Sequence, residues 1–121
     1  MKDLIICMAA YPGEKQEEKF PGTMDVTAEA IYSINAGASL VHLHVRDENG
    51  LQTTDTTLFE HQVNAIREAH PEVIIEGSTG GAPEHTLAQR CVSFTVPGIS
   101  MGSLNLGSTN LWDGVYQNKW D

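Results

Sequence analysis

"SLVHLHVRDENG", residues 39–50, decides how the fold is read. In an extended strand, successive side chains point to opposite faces. Leu40, His42, His44 and Arg46 then share one face, and Val41, Leu43 and Val45 share the other. The aliphatic face is what a strand shows to covering helices. The histidine face is expected to look into a barrel or a cleft. "DENG" turns the chain at once, so the histidines lie at the strand's C-terminal end.

Working outward, the same type of element recurs. "LIICMAA" (Leu4–Ala10) and "EVIIEG" (Glu72–Gly77) are short apolar runs expected of strands covered on both faces. Helix-like sequence from about Thr27 to Ala36 separates the first strand from the histidine strand. Asp25 or Thr27 suits its start and Gly37 its stop. Thr57 and Glu60 fit a T-x-x-E capping box and open a second helix. Phe59, Val63 and Ile66 form its apolar stripe, and Pro71 ends it. A third, shorter helix is expected from Pro83 to about Cys91. A glycine-rich fourth strand is expected within "GISMGSLNLGS" (Gly98–Ser108). "TNLWDGVYQNKWD" beyond it has no clear period.

Strand–helix alternation with short turns means βαβ units and a parallel sheet. An open doubly wound sheet and a (β/α)8 TIM barrel both use such units. The first strand lacks the G-x-G-x-x-G turn of a dinucleotide fold, which argues against the former. Four strands and three helices are about half of a barrel of roughly 250 residues. The expected fold is therefore α/β, the N-terminal half of a (β/α)8 barrel. Residues 1–121 are read as a single partial domain, truncated at its C-terminus.

Composition narrows the function. The chain carries 16 acidic and 7 basic residues, a net charge of −9. Such a surface repels nucleic acid and anionic membranes. No apolar run is long enough to span a bilayer, and the N-terminus has no convincing signal-peptide cleavage site. A cytoplasmic location is expected. Cys7 and Cys91 form no CxxC pair and are read as inert buried thiols.

Chemistry concentrates at the strand ends. Residues i and i+2 on a strand are about 6.6 Å apart at the backbone. Two imidazoles leaning together can each reach a zinc at about 2.0–2.1 Å. His42 and His44 are thus candidate metal ligands, against the alternative of two satisfied histidines in a polar interior. A catalytic zinc usually has three protein ligands, so the pair alone does not complete a site. Ser78 and Thr79 offer hydroxyls after the third strand, and Gly80 and Gly81 allow close backbone approach. That loop reads either as a ligand cradle or as a plain turn. Ser103 and Asn105 share a face at the end of the fourth strand, suited to a ligand or to loop ordering. Arg46 needs a partner, either an anionic substrate or Glu76. Asp47 suits a histidine's orienting acceptor or simply the start of the turn. Glu14 follows the first strand within the solvated-looking "GEKQEEK".

"AGASLVHLHVRDENG", "STGGAPEHTLAQR" and "SMGSLNLGSTN" resemble, in order and spacing, the β-keto acid cleavage enzymes. The 3-keto-5-aminohexanoate cleavage enzyme of lysine fermentation is the namesake of that family. The resemblance implies a zinc-dependent (β/α)8 barrel that converts a β-keto acid and acetyl-CoA to acetoacetate and a new acyl-CoA. It implies that His42 and His44 bind zinc, and that Ser78, Gly81, Ser103, Asn105 and Glu14 contact the keto acid. Many relatives carry threonine at the position of Ser103, which keeps the hydroxyl. The family's third ligand, a glutamate, lies late in the barrel beside an arginine and an acidic general base. None has a counterpart here, so no catalytic residue is assigned within this chain. A homo-oligomer is expected at full length.

Two other readings compete. HxH metal-dependent hydrolases also use a barrel, but they usually carry the pair on the first strand, with further histidines on later strands. Here the pair is on the second, and His61, His70 and His85 are expected on or beside helices, away from the strand ends. A non-catalytic half-barrel remnant is the third reading.

Overall fold

In the computed structural model, residues 4–10, 25–80, 84–104, 109–111 and 114–116 are described. Alternation along the histidine strand sets the architecture. The strands are β1 (Cys7–Ala9), β2 (Leu40–Leu43), β3 (Ile74–Gly77) and β4 (Met101–Gly102), with helices α1 (Val26–Asn35), α2 (Thr57–Ala69) and α3 (Leu87–Arg90) between them. All neighbouring strands pair in parallel, in the order β1-β2-β3-β4. A doubly wound sheet reverses its strand order at a switch point. The order here is sequential throughout, as in successive units of a (β/α)8 barrel.

Helices cover one face. Val41 and Leu43, fully buried, pack with Phe59, Val63, Ile66 and Ile75, and with Ala30 of α1. Each large side chain taken from water there contributes about 1.5–3 kcal/mol. Val45 and Val96 extend this cluster. The expected stripe of α2 is therefore the core. The other face is open: Ile74 and Met101 are each about two-fifths exposed.

The ends of the elements follow the expectations in part. Asp25 caps α1 by accepting from the Ala28 N–H at 3.0 Å, and Gly37 follows the helix with φ +115°. The expected Thr57–Glu60 capping box does not form. Thr57 is already helical, so its hydroxyl is one position too late, and Thr56 is the N-cap without a side-chain bond. Asp55 takes the work instead, its Oδ1 accepting from the Thr57 N–H at 2.9 Å and the Thr57 hydroxyl at 2.7 Å. A capping box does occur at α3, where Thr86 and Gln89 satisfy each other's backbone N–H groups. That helix is shorter than expected and gives way to a 3-10 turn at Val92–Thr95.

The fourth strand is also shorter than expected, with only Met101 and Gly102 in the ladder. Beyond it lies an antiparallel hairpin, β5 (Thr109–Leu111) with β6 (Gly114–Tyr116), which no apolar period announced.

Arg67 staples the helix layer to the sheet. Its guanidinium donates to the carbonyls of Pro71, Val73 and Gly98 and to the Ser100 hydroxyl. It thus joins the end of α2 to the approaches of β3 and β4. Among the described residues, no helix is long and apolar enough to cross a membrane.

Candidate metal and substrate site

Register on the open face gathers the polar groups. His42 of β2 lies beside Ala9 of β1 and Glu76 of β3, and Glu76 lies beside Met101 of β4. His44 and Ser78 continue the same face just past the ends of β2 and β3. The valines and leucines between them go to the helix side, so alternation separates site from core.

The two histidines meet. Their Nε2 atoms are 3.1 Å apart, with the rings edge to face at 82° and centroids 4.9 Å apart. A tetrahedral ion about 2.0–2.1 Å from each nitrogen needs them about 3.3 Å apart. The donor pair therefore fits a metal ion. Burial, then His42, then Arg46 hold the His44 imidazole down to about pKa 4. A neutral imidazole is the form that ligates. Among the described residues, no group of three or more His, Cys, Asp or Glu side chains is arranged to hold a metal ion.

On the far side of the His42 ring, Nδ1 lies 3.5 Å from Glu76 Oε1. Glu76, rather than Asp47, is thus the acidic side chain beside this ring. Asp47 instead shapes the turn: its Oδ1 accepts from the N–H groups of Asn49 and Leu51. Arg46 is buried, and it reaches the Gly50 carbonyl at 2.6 Å rather than pairing with Glu76. The Arg46–Gln52 bridge tightens the same loop.

The ends of β3 and β4 are tied together. Thr79 donates its N–H to Ser103 Oγ at 3.1 Å and its hydroxyl to the Ser103 carbonyl. Ser78 is buried, and its Oγ accepts from the Gly80 N–H at 3.2 Å. Thr79 and Ser103 are therefore joined, and Ser78 shares a recess with His44. Glu14, Gly81 and Asn105 lie outside the described residues.

Two expectations are corrected. Cys7 is exposed, because β1 is an edge strand and this side chain lies on the open face. Burial and the nearby Glu76 push its thiol pKa up, which disfavours the thiolate. His85, expected away from the strand ends, lines a small polar recess with His44, Gln52, Ser78, Gln89 and Arg90. The Thr86 cap at the start of α3 puts His85 there, a signal present in the H-T-x-x-Q spacing.

Comparison with known proteins identifies the family. The beta-keto acid cleavage enzyme family model matches residues 3–121. The chain is 38% identical over 123 residues to the 3-keto-5-aminohexanoate cleavage enzyme of Fusobacterium nucleatum, covering 98% of this chain and 45% of that protein. It is equally identical to the enzyme of that name from Acetoanaerobium sticklandii, with the same coverage. It is 31% identical to the 3-oxoadipate:acetyl-CoA acetyltransferase of Cupriavidus necator, over 97% of this chain and 41% of that protein. The chain thus spans less than half the length of these relatives. Sequential parallel strands, a converging histidine pair at their C-terminal ends and a match along nearly the whole chain lead to one conclusion: the chain belongs to the beta-keto acid cleavage enzyme family.

Proposed function

We propose that residues 1–121 are the N-terminal half of a (β/α)8 barrel that cleaves a β-keto acid at the expense of acetyl-CoA, giving acetoacetate and a new acyl-CoA. The observation that carries this reading is the pair of imidazole nitrogens 3.1 Å apart at the C-terminal end of β2. His42 and His44 would hold zinc, which when bound supplies Lewis-acid polarisation of a carbonyl oxygen. Ser78 and Ser103 offer hydroxyl donors for the keto acid's carboxylate. Gly81, Asn105 and Glu14 belong to the same proposed contact set. Losing one such donor in a closed site costs about 2.7–4 kcal/mol of transition-state stabilisation. Relatives named for 3-keto-5-aminohexanoate and 3-oxoadipate act on β-keto acids, which supports the substrate class.

The test is acetoacetate formation by the protein carrying these residues, supplied with zinc, acetyl-CoA and a small panel of β-keto acids. Activity that requires acetyl-CoA and disappears in H42A and H44A is expected. Cleavage that proceeds equally well without acetyl-CoA would overturn the proposal in favour of a hydrolase.

A further inference from the structure

We infer that Glu76 is a positioning residue that fixes the tautomer of His42 and so aims its Nε2 lone pair at the metal position. The inference rests on the zinc reading above, but it concerns a residue outside the proposed ligand set. An ionised carboxylate can only accept hydrogen bonds. With its Oε1 3.5 Å from Nδ1, the Glu76 carboxylate favours the His42 tautomer that carries its proton on Nδ1 and keeps Nε2 as an acceptor.

The second histidine completes the logic. Since His42 Nε2 accepts, the 3.1 Å contact between the two Nε2 atoms requires His44 to donate from its own Nε2. On this assignment the proton shared between the ring nitrogens is carried by His44. A metal ion would take the place of that proton, so His44 must change tautomer on loading while His42 keeps its own. Glu76 cannot itself join the same ion, because it approaches the ring from the side opposite Nε2. Its place is set by the sheet: His42 and Glu76 are register partners on β2 and β3.

Carboxylates that orient metal-bound histidines typically contribute 10–100-fold to metal affinity. The experiment records imidazole nitrogen–carbon proton correlations by NMR, with and without zinc, and zinc affinity by chelator competition. It uses the intact protein, E76A and the near-isosteric E76Q. In wild type, His42 is expected in the Nδ1–H form throughout, with His44 switching from Nε2–H to Nδ1–H on zinc addition. E76A should shift His42 toward Nε2–H and weaken zinc binding 10–100-fold. E76Q, which keeps an acceptor oxygen, should retain the His42 tautomer and lose less affinity. An unchanged His42 tautomer in E76A overturns the inference, as does a shifted tautomer with zinc affinity within twofold of wild type. Failure of wild type to bind zinc overturns the zinc reading instead, and the tautomer comparison still decides whether Glu76 sets His42.

Discussion

Gly77→Ala should destabilise the protein through one identifiable clash. Gly77 closes β3, directly before Ser78, and its missing side chain faces the helix layer. A Cβ built there lies 2.6 Å from Ser93 Oγ and 2.7 Å from Ser93 Cβ, with Ile99 Cγ2 at 3.4 Å. Optimal carbon separations are about 3.5–4.0 Å, so the 3-10 turn must retreat by roughly 0.8 Å or more. Ser93 is fully buried and donates to the Ser78 carbonyl, so it cannot simply swing aside. Overpacking of this kind costs about 1–3 kcal/mol. In a small domain each kcal/mol lowers the melting temperature by roughly 4–8 °C. The assay is thermal melting of wild type, G77A, S93G and the double variant. S93G alone loosens the turn and should also destabilise, but it removes both clashing atoms. The double variant should therefore be more stable than the sum of the single effects by about 0.5–3 kcal/mol. Gly102→Ala provides an internal contrast: its Cβ would meet the Phe94 ring even more closely, but that ring is half exposed and can rotate away. G102A should be the milder change. A G77A melt within a degree of wild type, or strict additivity with S93G, would refute the reasoning.

Two further outcomes follow from the geometry. Arg67→Met keeps the aliphatic stem but loses the donors to Pro71, Val73, Gly98 and Ser100; denaturant unfolding should show a loss of roughly 1.5–3 kcal/mol. The His44 pKa is depressed from 6.5 to about 4, so in that window the unfolded chain binds the proton that the folded chain refuses. Stability should be insensitive to His44 above about pH 6.5 and fall as pH drops toward 4. Urea midpoints at pH 7, 5.5 and 4.5 should decline less in H44Q than in wild type, and parallel declines would count against the assignment.

The sequence was most readable where one periodicity had one consequence. Val41, Leu43 and Val45 alternate with His42, His44 and Arg46, and strict twofold alternation sent the first set to the core and the histidines to the open face. Phe59, Val63 and Ile66 likewise had one helical face to occupy. Less readable were choices between near-equivalent hydrogen-bonding groups. Asp55, Thr56 and Thr57 all suit a helix start, and only the position of the first helical residue decides that Asp55 does the capping. The pairing of Glu76 with His42 depended on register between strands that are separated by a whole helix. The same holds for Arg46, whose reach to Gly50 depends on the tight loop that follows it. His85 was passed over because residues beside helices look peripheral until the strand ends are placed under them.

The tie between Thr79 and Ser103 has a consequence for inheritance. Twenty-four positions separate them, yet each satisfies the other's polar groups at two points. A residue without a hydroxyl at 79 would leave the Ser103 carbonyl seeking a new donor. One at 103 would leave the Thr79 N–H without its acceptor. Across homologous chains these two sites should therefore be replaced together rather than one at a time, and an insertion in either loop should be accompanied by adjustment in the other.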